Sequence, residues 1–164
     1  MEEEGFSGRD GRTTIFDYHR VESVQRWVNG GKFNLKKLSR DEIALRKFYQ
    51  NVLRLKRDNE TLREGKFFDL MYVNGHLHQQ YVFCRKSDRE LILVLSNFAE
   101  TDQRLQVSLP QAMFEYLQLP ELIAVESVDL LDEKTDTLTL SPDKPIEIGV
   151  RALDGAVLRV KLEG

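Results

Sequence analysis

The chain has 164 residues, 41% hydrophobic and 31% charged; that is enough apolar material to close the core of one domain, or of a small domain with an extra segment, and it excludes a wholly disordered chain. Lys and Arg number 24 against 27 Asp and Glu, a net charge of −3, so no one-signed field suits nucleic acid as the main partner. The longest apolar run, "LILVL" at 91–95, is far too short to span a bilayer, and the three glutamates after Met1 are the reverse of a secretory signal. The single cysteine, Cys84, can form no internal disulfide and leaves the compartment open.

Residues 1–38 hold five of the ten glycines. The stretch "GRDGRTTIFDYHRV" at 8–21 carries neither a helical nor an alternating period and reads as a long ordered loop. A short helix is expected around Val21 to Val28. Residues 39–59 then predict one amphipathic helix, opened by Ser39 and Glu42 in capping-box spacing. Leu45, Phe48, Tyr49, Val52, Leu53 and Leu55 fall near one face, and Arg46, Gln50, Arg54 and Arg57 line the other.

From Lys66 onward the pattern changes to short β-like runs. "KFFDLMYV" and "QQYVFCR" flank "NGHLH", where Asn74-Gly75 predicts a tight hairpin turn with positive φ values. "ELILVLSN", "RLQVSL", "IAVESVDLL", "TLTL", "PIEIGV" and "GAVLRVKL" follow, interrupted by a helical turn at "QAMFEYL" after Pro110. Eight short runs predict an antiparallel sandwich rather than a parallel sheet, with Phe68, Leu70, Tyr72, Val82, Leu93, Leu95, Val107, Ile148 and Leu158 mainly inside.

Read together, "DGRTTIFDYHRVESVQRWVNGGKF" and "LRKFYQNVLRLKRDNETLREGKFFDLMY" resemble the carboxyl-terminal part of α-amylase-type enzymes, glycoside hydrolase family 13. In the resemblance, Leu45, Arg46, Phe48, Tyr49, Leu53, Leu55 and Lys56 stand in the pattern of the eighth helix of a catalytic (β/α)8 barrel. Gly65 stands at the crossover into a carboxyl-terminal β-domain. "EEGFSG" looks like the end of barrel strand eight, and "LILVLSNF" and "IEIGVRALDGAVLRVKL" look like the central and last strands of the β-domain. The resemblance implies a mainly β fold in three parts: 1–38 as the remnant of the loop after strand eight, 39–59 as the last barrel helix, and 60–164 as the β-sandwich. It also implies a parent acting on α-glucans such as starch and maltodextrin, periplasmic, extracellular or cytoplasmic. Any calcium ion belongs to that parent, and no cofactor belongs to these residues. The implied partner is the barrel, with weak contact to α-glucan and self-association through the apolar helix face as further expectations.

Retaining glycosidases need two carboxyls roughly 5 Å apart on rigid strand ends. No residue here matches the family's catalytic motifs, so the catalytic set is empty for this chain. Asp10, Arg12 and Asp17 are read first as organisers of a loop and second as sugar contacts. Tyr18 and Trp27 are read first as packing groups and second as rings that stack on a pyranose. Asp17, Tyr18 and Trp27 are therefore the candidate substrate-binding residues. His76 and His78 alternate as a metal half-site would, but lack a third ligand in spacing and read as exposed turn residues. Cys84 reads as a small core residue. Two functions stay open: an accessory domain that braces a barrel, or a carbohydrate-binding module, which would need a platform of aromatics from Tyr72, Tyr81 and Tyr116. An unrelated protein-interaction module is a third reading.

Overall fold

The protein is seen in a computed structural model that describes residues 22–162. The chain divides into two compact units, Met1–Gln50 and Asn51–Gly164. In the first, α1 (Glu22–Val28) occupies the expected position and stops where Asn29, Gly30 and Gly31 turn left-handed, with φ of 45°, 64° and 83°. Two successive glycines make that reversal cheap, because no Cβ opposes it.

The long helix α2 (Arg40–Asp58) begins with the expected capping box. Ser39 Oγ accepts from the Glu42 N–H at 3.1 Å, and the Ser39 N–H donates to Glu42 Oε2 at 2.7 Å. Both satisfy donors that a helix start leaves open. No α2 residue is buried, and Leu45, Phe48, Tyr49, Val52 and Leu53 are exposed.

The second unit is the sandwich. After a one-turn helix α3 (Glu60–Glu64), the strands are β1 (Lys66–Asp69), β2 (Gln80–Lys86), β3 (Glu90–Asn97), β4 (Gln103–Val107), β5 (Leu122–Asp129), β6 (Thr135–Leu140), β7 (Ile146–Val150) and β8 (Gly155–Lys161). Every pairing is antiparallel. One sheet has the order β1-β2-β3-β8-β5-β6, the other pairs β4 with β7. The eight expected runs are thus the eight strands of an antiparallel sandwich. Strict alternation explains it: Leu105, Val107, Ile146, Ile148 and Val150 of the small sheet share one core with Val82, Cys84, Leu91, Leu93, Leu95, Leu158 and Val160 of the large one. Helix α4 (Gln111–Leu117) falls on "QAMFEYL" and adds Met113, Phe114 and Leu117 to that core.

Two expectations fail between β1 and β2. Tyr72, expected inside, is 63% exposed, and Phe68 is only half-buried. The cause is that β1 ends at Asp69, so the alternation of "KFFDLMYV" does not continue through Leu70 to Val73. Asn74-Gly75 also forms no two-residue hairpin turn, since neither residue has a positive φ. Asn74 is instead fully buried. Its Nδ2 donates to the carbonyls of Leu70 (2.8 Å) and Ser108 (3.0 Å), and its Oδ1 accepts from the Ser108 N–H at 2.8 Å. A buried amide that pins its own loop to the segment after β4 replaces the local turn.

Candidate functional site

Of the three candidate sugar contacts, Asp17 and Tyr18 lie outside the described residues, as do Asp10 and Arg12. Trp27 sits on α1, partly exposed, and its ring is already engaged. Phe33 meets it edge-on at 5.4 Å between centroids, and the Arg46 guanidinium lies 5.4 Å from its centroid. A cation over the indole competes for the area that a pyranose would use. Beside it, Arg26 bonds Glu22 at 2.8 Å and also bonds Glu42. The bond from Arg26, and next the Ser39 N–H, hold the Glu42 carboxyl below its ordinary range.

A glycosidase acid needs the opposite environment, a carboxyl kept protonated by burial or a like charge. Like Glu42, Asp58 and Asp132 are pulled down, by hydrogen bonds from Arg57 and Lys134 respectively. Asp132 and Asp136 border a small groove of about 150 Å³ with Asp129. There Asp129 Oδ1 already accepts from the N–H groups of Leu131 (2.9 Å) and Val157 (3.1 Å). A larger open groove, about 470 Å³, runs between β6 and β7 along Gln106, Thr137, Thr139, Lys144 and Glu147. Its one acid, Glu147, is paired with Arg104.

His76 and His78 are both exposed in the β1–β2 connection. The His76 Nε2–H donates to the Gln106 carbonyl at 3.0 Å. Among the described residues, no group of three His, Cys, Asp or Glu could hold a metal ion. Cys84 is buried in β2, paired with Phe68 and Leu93, and burial pushes its thiol pKa up to about 12. A thiol in that state is neither a nucleophile nor a ligand.

What the sandwich displays instead is aromatic surface. Tyr72 and Tyr116, 63% and 55% exposed, flank Phe68 with centroids 6.1 and 5.9 Å away, and Lys66 Nζ lies 5.9 Å from the Tyr116 ring centre. A separate file crosses β1 and β2: Phe67 to Phe83 at 5.4 Å and Phe83 to Tyr81 at 5.8 Å, with the Arg85 guanidinium 5.6 Å from the Phe67 centre. Tyr72 and Tyr116 are among the rings that a binding platform would need, but the alternation of "KFFDLMYV" puts Tyr72 inside, where the structure does not. The second group could have been found from the alternation Tyr81, Phe83, Arg85 opposite Val82 and Cys84.

Fold and surface together define an antiparallel β-sandwich domain with a helical lead-in and exposed aromatic patches. Its fold is similar to that of part of an α-amylase. It is similar to an AmyP variant in complex with maltotriose (TM-score 0.58, 11% identity), with 79% of this chain covering 23% of that one. It is also similar to the α-amylase of Geobacillus thermoleovorans complexed with acarbose (TM-score 0.53, 15% identity), with 77% covering 24%. An Anoxybacillus α-amylase gives a TM-score of 0.50 at 15% identity, with the same coverage. The chain spans about a quarter of the length of these enzymes. No family model matches the sequence, and no curated protein is similar to it at a significant level.

Proposed function

We propose that this chain is the non-catalytic carboxyl-terminal portion of an α-amylase-type glycoside hydrolase acting on α-glucans, and that its work is to brace the catalytic barrel. On this reading residues 1–38 are the remnant of the last barrel loop, 39–59 the last barrel helix and 60–164 the β-domain. The observation that carries it is the structural match to about a quarter of an α-amylase chain. The apolar stripe of α2, exposed at Leu45, Phe48, Tyr49, Val52 and Leu53, supports it, because a helix so patterned is made to be covered. The cationic settings of Glu42, Asp58 and Asp132 support it as well, since none of them suits a general acid.

The purified chain, free of host amylase and incubated overnight with starch, maltodextrins and activated glucosides, is expected to release no reducing sugar. Hydrolysis that co-purifies with the chain and disappears in Asp17→Asn would falsify the accessory reading.

The exposed pair Tyr72 and Tyr116 favours a second reading, a carbohydrate-binding surface of the domain itself. Each ring is tilted against the Phe68 between them, by 56° and 45°, so the three do not form one flat platform. Calorimetry with maltoheptaose is therefore expected to give a Kd in the millimolar range or weaker, a free energy of only about 4 kcal/mol. Micromolar binding that is lost in Tyr72→Ala or Tyr116→Ala would decide for the binding module.

A further inference from the structure

The sequence carries two Asn-Gly pairs, Asn29-Gly30 and Asn74-Gly75, each preceded by a valine. In such a pair the glycine nitrogen can attack the asparagine's own amide, because glycine has no Cβ to hinder the approach and attacker and target are held in one chain. The two glycines are alike, since nothing lies within 4 Å of where a Cβ would stand at either. The asparagines are not. Asn74 is fully buried, and its amide is held by the carbonyls of Leu70 and Ser108 and by the Ser108 N–H. Turning that amide toward Gly75 breaks all three bonds, so reaction there waits for local unfolding.

Asn29 directly follows the last residue of α1 and is half-buried, beside an exposed Gly30. Among the described residues its side chain makes one hydrogen bond, from Nδ2 to Asn34 Oδ1 at 2.8 Å, and that bond lies at the surface. The N–H groups of Gly31 and Phe33 donate to the Val28 carbonyl (3.0 and 3.2 Å) and that of Lys32 to the Asn29 carbonyl (3.3 Å), whereas the Gly30 N–H donates to no backbone carbonyl among the described residues. The attacking nitrogen and its target are therefore both accessible here. The same turn sets Phe33 edge-on against Trp27, the only tryptophan of the chain.

We propose that Asn29 is a site of spontaneous covalent modification, at which the folded chain deamidates itself, and that the fold protects the equivalent pair at Asn74. The Gly30 nitrogen, giving its proton to hydroxide, bonds to Asn29 Cγ. The Cγ–Nδ2 bond breaks, and ammonia leaves. Water then opens the resulting succinimide at either of its carbonyls, which gives an aspartyl or an isoaspartyl residue at position 29 with no change of oxidation state. Both products disturb the turn. A carboxylate replaces a donor opposite Asn34 Oδ1, which the Lys36 N–H already holds at 3.3 Å, and it adds negative charge where a helix end disfavours it. The isoaspartyl form also routes the main chain through the side-chain carbon, which lengthens the turn that the bonds to the Val28 carbonyl close and frees Phe33 from Trp27. The inference is independent of the accessory reading.

The test ages the full chain in mildly alkaline buffer, once native and once in guanidinium chloride, and follows both sites by peptide mapping with mass spectrometry. Unfolded, the two pairs are expected to react at similar rates, since each has valine before it and glycine after. In the native chain Asn29 is expected to convert at least about 10-fold faster than Asn74, because only Asn74 must first open. Native ageing should also red-shift the Trp27 fluorescence with the time course of the Asn29 product. Asn29→Gln, whose ring closure is slower, should age without that shift, and a melt of the fresh variant is its folding control. The mapping itself needs no variant. Equal native rates at the two sites would overturn the proposal, as would an Asn29 left intact over the time in which guanidinium chloride consumes both. A fluorescence shift that persists in aged Asn29→Gln would overturn the consequence assigned to the turn.

Discussion

Asn97→Ala is expected to lower the melting temperature by about 10 °C, from a loss of roughly 3 kcal/mol at about 3 °C per kcal/mol for a chain of this size. Asn97 closes β3 and is only 2% exposed. Its amide is fully used. Nδ2 donates to the carbonyls of Thr101 (3.1 Å) and Arg151 (2.9 Å), and Oδ1 accepts from the Ala99 N–H (3.1 Å) and from Gln80 Nε2 (3.0 Å). One side chain therefore ties together the start of β2, the turn after β3 and the loop between β7 and β8. Alanine leaves the Ala99 N–H and two carbonyls without partners at a site where water reaches poorly, and each such group costs about 1–3 kcal/mol. Asn97→Asp should be at least as harmful, because it keeps the acceptors but turns a carboxylate oxygen toward two carbonyl oxygens. Calorimetric melts of the three proteins check this, and an alanine variant melting within 2 °C of the wild type would refute it.

Gly65→Ala should destabilise the domain by about 2–4 kcal/mol, through overpacking rather than through backbone conformation. The φ of Gly65 is −58°, open to any residue. Space is the constraint: a Cβ there would overlap the Thr61 carbonyl oxygen and stand 3.1 Å from the Lys86 carbonyl oxygen. Both obstacles are backbone, and neither is free to yield. Thr61 is buried, its hydroxyl donates to Ser87 Oγ at 2.8 Å, and Asn59 Nδ2 donates to Glu90 Oε1 at 2.8 Å, so α3 is fastened to the β2–β3 turn. Arg85 adds a bond to the Gly65 carbonyl at 3.1 Å. Gly75→Ala is the control, since a Cβ there meets nothing within 4 Å and should change stability by no more than about 0.5 kcal/mol. Urea unfolding should show a lower midpoint with an unchanged slope for Gly65→Ala alone. Equal midpoints for the two variants would contradict the packing argument.

The resemblance read from the residues singled out Gly65 as the crossover into the β-domain, and the structure supplies a physical reason for glycine there. The candidate site was less legible. Trp27 could be proposed as a stacking ring from its residue type, but that Arg46 lies over it depends on two helices meeting, which no local pattern encodes. Tyr81 and Phe83 share a face in the alternation of β2, yet that Phe67 lies beside Phe83 requires the pairing of β1 with β2.

Local order was decided by local chemistry. The capping box at Ser39 and Glu42, the stop at Asn29 to Gly31 and helix α4 follow from contacts within a few residues, and the positions of the eight strands from alternation, although their pairing is long-range. Asn74 and Asn97 belong to the other category. As sequence they are polar residues beside turns, and Asn74-Gly75 has the composition of a hairpin turn. In the folded chain Asn74 bonds Ser108, 34 residues away, and Asn97 bonds Arg151, 54 residues away. Tyr72 moved outward for the same reason, because Leu70 and the Asn74 amide anchor the loop that carries it. Burying an amide is favourable only when all its partners arrive together, and which partners arrive is a property of the assembled sheets, not of the residues beside it.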